Sequence, residues 1–117
     1  MVSVHVPLTD ASRGLIGARE IGRMKPTAYL INTSRGPIVE TGALVAALAE
    51  GRLAGAGLDV YDSEPLPLDH PLLAAPNAVL LPHLGFVSRE NLALMYEDTV
   101  ANVLAWLDGA PIRLVRP

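Results

Sequence analysis

The sequence has no cysteine. That excludes disulfides, thiol catalysis and thiolate metal sites. Charged residues make up only 18% of the chain, against 50% hydrophobic, a balance that favours a packed core over disorder. No stripe or cluster of Lys and Arg occurs, and the formal net charge is -3, so nucleic acid is not an expected partner. Long apolar runs are also missing. Prolines and charges interrupt every apolar stretch well short of membrane-spanning length, so no membrane partner is expected. The start, Met1-Val2-Ser3-Val4-His5, lacks a basic segment followed by an apolar run, so no signal peptide is read and a cytoplasmic location is expected. Internal repeats and low-complexity tracts are absent. What remains, 117 residues, suffices for one ordinary domain.

What is present is a repeated form: a short apolar run that ends abruptly in polar residues. Val2 to Val6 alternates valine with polar residues and stops at Pro7, which predicts a strand with His5 inside it. Ala28-Tyr29-Leu30-Ile31 ends in Asn32-Thr33-Ser34-Arg35-Gly36. Gly55-Ala56-Gly57-Leu58 ends in Asp59, and five residues later Glu64 precedes Pro65. Ala78 to Leu81 ends in Pro82-His83-Leu84-Gly85. Between these runs, Leu15, Ile16, Ile21 and Met24 predict a short, imperfect helical stripe closed by Pro26. The Ala/Leu-rich stretch Ala43 to Glu50 predicts a helix stopped by Gly51. A proline-rich loop is expected from Asp62 to Pro76. Ser88 to Leu107 predicts one long helix, N-capped by Ser88 and ended by Gly109. Its apolar stripe, Leu92, Met95, Tyr96, Thr99, Val103 and Trp106, suits a core or an interface. Pro111 to Val115 is expected as a further short extended piece.

Strands alternating with helices imply an α/β fold with a parallel sheet and right-handed crossovers. The carboxyl ends of parallel strands lie along one rim, where open α/β sheets build ligand sites. That rim would gather Pro7-Leu8-Thr9, Thr33-Ser34-Arg35, Asp59 with Glu64, and His83. His83 is the proton carrier of the set, because imidazole titrates near neutrality. Glu64 suits holding one imidazole nitrogen, leaving the other as acid or base. Arg35 offers a planar fork of donors for a carboxylate. Asp59 suits accepting a hydrogen bond from an amide or hydroxyl of a cofactor. Together these groups point to proton transfer at an oxygen-bearing carbon beside a carboxylate. His5 and His70 read as structural and as a solvated loop residue.

Ile31 to Gly36, Gly57 to Pro65, Pro82 to Gly85 and the opening His5-Val6-Pro7-Leu8-Thr9 together resemble the NAD-dependent D-isomer-specific 2-hydroxyacid dehydrogenases, the phosphoglycerate dehydrogenase and hydroxypyruvate reductase family. The resemblance runs from about residue 2 to about residue 113. It implies hydride transfer between NAD and a small D-2-hydroxy or 2-keto acid, with NADP an open alternative. It further implies that Arg35 binds the substrate carboxylate, that His83 is the acid/base and that Glu64 pairs with it. Asp59 would contact the nicotinamide carboxamide, and Pro7, Leu8, Thr9, Thr33 and Ser34 would line the cofactor. Glutamate at position 64 argues against the formate dehydrogenase branch, which resembles this one but has glutamine there.

The sequence departs from that pattern in one large respect. It has no Gly-x-Gly-x-x-Gly turn to cradle a pyrophosphate and no acidic residue for the adenosine ribose. The expected fold is therefore a partial Rossmann-type parallel sheet, the second half of a dinucleotide-binding domain, plus a long C-terminal helix. Residues 1–109 would form that half, and residues 110–117 a short tail toward an absent substrate domain. A strand at Val2 to Val6 would then be an edge with unpaired backbone groups, hidden in a homodimer or by a separate N-terminal half. Three functions follow: a dehydrogenase acting through a missing half or an oligomer, a catalytically inactive remnant, or a corepressor-like interaction module on the same fold.

Overall fold

The computed structural model describes residues 1–115; Arg116 and Pro117, part of the expected tail, lie outside the described residues. The chain divides into two compact units, Met1–Gly85 and Phe86–Pro117.

In the first unit, four parallel strands form one sheet in the order β1-β2-β3-β4: Val2–Val4 (β1), Tyr29–Asn32 (β2), Gly55–Leu58 (β3) and Ala78–Leu80 (β4). Their register aligns Val4, Asn32, Leu58 and Leu80 in one row. Everything that follows each strand therefore emerges at the same rim, as the alternating pattern predicts. The expected first strand is shortened by two residues. His5 and Val6 lie beyond β1 because its neighbour β2 has no residue past Asn32 to pair with them. His5 is exposed, and its Nε2 contacts Ser3 Oγ at 2.7 Å.

The core lies where the apolar runs meet the helix Thr41–Ala49 (α2). Leu44, Ala47 and Leu48 of α2 join Leu30, Ala56 and Leu58 of the sheet in one buried cluster with Ile21, Ile38 and Leu72. Truncating a buried leucine of this kind to alanine costs about 2–5 kcal/mol. Gly51, at φ 67°, stops α2, as a residue without Cβ can do cheaply. The imperfect stripe near residue 20 shrinks to the four-residue helix Ala18–Ile21 (α1). Ile16 leaves the stripe to bridge Val39, and Gly17 and Gly22 bracket what remains. The proline-rich loop contains a 3-10 turn at Pro71–Ala74.

The second unit is dominated by the helix Arg89–Leu107 (α3). Ser88 caps it as expected, its Oγ accepting the Asn91 N–H at 3.1 Å, and Gly109 follows it at φ 72°. No residue of α3 is buried. Arg113 turns back at φ 54° to pair with Asp98 at 2.6 Å and Asn102 at 2.9 Å. Pro111–Val115 thus forms no strand; the ion pair bends the extended piece the sequence suggests.

Candidate active site

The turn after β2 is shaped by Asn32, a polar residue only 1% exposed. Its Oδ1 accepts the Ser34 N–H at 3.0 Å, and its Nδ2 donates to the Arg35 carbonyl at 2.9 Å. Buried amides must find such partners, and here they bend the chain so that Ser34 and Arg35 project from the rim. Ser34 Oγ donates to the Val6 carbonyl at 2.5 Å, tying this turn to the end of β1. Gly36 then passes so close to the next loop that a Cβ would fall on the Tyr61 carbonyl.

The turn after β1 is shaped by Ser12, 8% exposed. Its Oγ accepts the Thr9 N–H at 2.8 Å and donates to the Pro7 carbonyl at 2.7 Å. Pro7, Leu8, Ser34 and Arg35, with His5 and Val6, line a cleft of about 360 Å³. Thr9 and Thr33 are exposed and do not line it.

Beyond β3, Glu64 folds back on its own loop. Its Oε1 accepts the Tyr61 N–H at 2.9 Å, and its Oε2 lies 2.6 Å from His83 Nδ1. A carboxylate only accepts, so Nδ1 carries the proton. Tyr61 adds a tie to the end of β4, its hydroxyl donating to the Leu81 carbonyl at 2.8 Å. Burial pushes this phenol up, with the Asp59 charge adding to the effect. Glu64 and His83 form the polar end of a second hollow, about 580 Å³, walled by Pro65, Leu66, Leu80 and Leu81. Asp59 is 2% exposed, and its two oxygens accept the Leu84 and Gly85 N–H groups, each at 2.7 Å.

The structure thus brings together Glu64 with His83, Asp59 with the His83 turn, and Arg35 with Pro7, Leu8 and Ser34. It leaves Arg35 and His83 in separate clefts. Sequence reasoning missed Asn32 and Ser12. A polar residue closing an apolar strand, and a serine three residues after Thr9, were the available signals. It also set His5 aside as structural, where the structure puts it on the Arg35 cleft.

Electrostatics links the clefts. The hydrogen bond from His83 holds the Glu64 carboxyl below its ordinary value of 4.5. The Tyr61 N–H and the charges of His83 and Arg35 assist, against the opposing effect of burial. A carboxyl lowered in the folded state stabilises the fold above its unfolded value and loses that contribution as pH falls through its folded value. Glu64→Gln is therefore expected to melt below wild type near neutrality, the deficit closing as pH falls through the lowered value of the Glu64 carboxyl. Thermal melts across pH check this; a deficit independent of pH would contradict the pairing.

Comparison with known proteins adds the family. The model for the D-isomer specific 2-hydroxyacid dehydrogenase, NAD binding domain, matches residues 1–85. A glyoxylate reductase of Thermofilum pendens is 50% identical over 109 residues, covering 93% of this chain and 32% of the relative. A glyoxylate/hydroxypyruvate reductase B of Enterobacter agglomerans is 45% identical over 106 residues, covering 91% and 33%. The crystal structure of D-lactate dehydrogenase with NAD+ from Lactobacillus jensenii superposes with a TM-score of 0.81 at 31% identity, covering 98% of this chain and 38% of that one. The chain spans about a third of the length of the curated relatives it matches.

Proposed function

The chain belongs to the D-isomer specific 2-hydroxyacid dehydrogenase family, within its NAD-binding domain, and on that premise we propose that its strand-end rim is the nicotinamide side of a site for oxidoreduction of small D-2-hydroxy and 2-keto acids. The observation that carries the reading is the 2.6 Å contact between Glu64 Oε2 and His83 Nδ1. With Nδ1 held by a carboxylate, proton exchange with the substrate oxygen falls to Nε2. Arg35 presents its guanidinium to the substrate carboxylate, and its positive charge also favours ionised Glu64.

The Arg35 cleft fits the cofactor's nicotinamide end. Pro7 and Leu8 offer apolar walls to a flat ring, Ser34 and backbone groups offer polar ones, and about 360 Å³ suits part of a dinucleotide. Thr9 and Thr33 would extend this lining. When bound, NAD(H) supplies or accepts the hydride. The protein's own task is to orient the acid by Arg35 and to hold the proton at His83.

The relatives' names make glyoxylate and hydroxypyruvate the first substrates to try. The test is a hybrid in which this chain replaces the matching third of the Thermofilum pendens glyoxylate reductase. NADH-dependent reduction of a 2-keto acid is expected. A folded hybrid that binds NADH but turns over neither acid would overturn the reading.

The same reading includes a partner at the sheet edge. β1 ends the sheet among the described residues, and Val2 is 40% exposed. An unpaired apolar edge recruits another strand, from a second copy or a separate N-terminal half. Light scattering is expected to show a dimer for the chain alone or a defined complex with such a half. A monomer at high micromolar concentration that ignores the half would contradict this. No described helix is long and apolar enough to cross a membrane, and a cytoplasmic location belongs to the same proposal.

A further inference from the structure

His83 sits in the left-handed region at φ 57°. For a residue with a Cβ this conformation is costly and persists only where the surroundings over-determine it. The next two residues supply that determination. The N–H groups of Leu84 and Gly85 both point at the Asp59 carboxylate, at 2.7 Å each. Asp59 is 2% exposed. Removing a carboxylate from water is expensive unless charged hydrogen bonds replace the lost hydration, and these two amides do so.

Asp59 is itself fixed, its own N–H donating to the Asn32 carbonyl of β2 at 3.0 Å. Gly85 fits the carboxylate closely: a Cβ there would stand 2.8 Å from Asp59 Oδ2. The partner of the imidazole is referenced to the same place, since Glu64 is held by the N–H of Tyr61, two residues after Asp59. Both halves of the Glu64–His83 pair are thus measured from the carboxyl end of β3.

We propose that Asp59 is a positioning residue for His83: by capturing the Leu84 and Gly85 amides it fixes the turn that carries the imidazole onto Glu64. This deepens the dehydrogenase reading, on which its catalytic meaning rests. It differs from a contact with the nicotinamide carboxamide, which would leave the cofactor-free pair untouched by a change at Asp59.

The test therefore uses the cofactor-free chain. In wild type, the His83 Nδ1 proton is expected as a downfield resonance that Glu64→Ala abolishes. In Asp59→Asn, one of the two amides would face an NH2 group instead of an acceptor. The resonance is expected to be lost while the sheet amides keep their shifts. Gly85→Ala provides the second variant, because its methyl group displaces the carboxylate without removing it, and it decides the matter alone if Asp59→Asn does not fold. A Nδ1 proton retained at its wild-type shift in the folded variants would overturn the proposal. Failure of NADH binding or turnover would bear on the dehydrogenase reading and leave this result standing.

Discussion

Replacing His83 by alanine in the hybrid enzyme is expected to lower kcat/KM by about 10²–10⁴-fold, the usual contribution of a positioned acid/base group. The size follows from the division of labour at the site. Reduction of a keto acid requires a proton at the developing hydroxyl oxygen, and the His83 imidazole is the acid/base side chain of the proposed site. Its Nδ1 is committed to Glu64, so the carboxylate cannot take over the task. Glu64→Gln should cost less, because a glutamine keeps an oxygen for the Nδ1 proton while losing the charge. Arg35→Ala should raise KM more than it lowers kcat, since it removes a carboxylate-binding fork. Steady-state kinetics on the three variants separates these effects. Full activity in His83→Ala would show the role to be misassigned.

Replacing Gly36 by alanine is expected to destabilise the chain itself by about 3 kcal/mol or more, the upper end of the overpacking range, on the order of 10 °C in melting temperature. The new methyl group would meet the Tyr61 carbonyl carbon and oxygen and the Asp62 nitrogen, all backbone. That backbone has little freedom to retreat. Tyr61 donates its N–H to Glu64, and Asp59, two residues earlier, is bonded to Asn32. Strain at Gly36 therefore passes directly to the loops bearing Arg35 and Glu64. Gly42 is the internal control. It has open space around its Cβ position and lies within α2, so Gly42→Ala should gain up to about 1 kcal/mol. Denaturant melts of both variants check the contrast. Equal midpoints would mean that the close approach at Gly36 is not a constraint.

The sheet was legible because each of its last three strands is a short run of apolar or small residues that ends abruptly in polar ones. Leu30, Ala56 and Leu58 are buried on one face of the sheet, while Tyr29 and Val79 of the other face are exposed; the unbroken apolar run, not a polar–apolar alternation, marked each strand. The rim was legible for the same reason, since parallel strands end together. Ser88 and Gly109 announced the ends of α3 through capping chemistry alone. Less of the rest was local. Ile16 left its helical stripe for a bridge to Val39, a choice made by a residue more than twenty positions away. The role of His5 depended on where β2 stops. Asp59 looked like a ligand-facing acid, and nothing nearby in sequence announced that amides of residues 84 and 85 would claim both oxygens. The close approach of the Arg35 turn to the loop that carries Glu64 rests on a glycine whose meaning, the absence of a Cβ beneath the Tyr61 carbonyl, appears only once two loops have met.

The most direct test is a titration of the isotopically labelled chain with NADH, followed by amide and imidazole resonances. The expected shifts are confined to the rim: Leu8 and Thr9, Thr33 to Arg35, and the turn from His83 to Gly85, with the far ends of the strands unmoved. Shifts centred on α2 or at the amino ends of the strands would contradict the rim as the cofactor's site, and so would a spectrum unchanged at millimolar NADH.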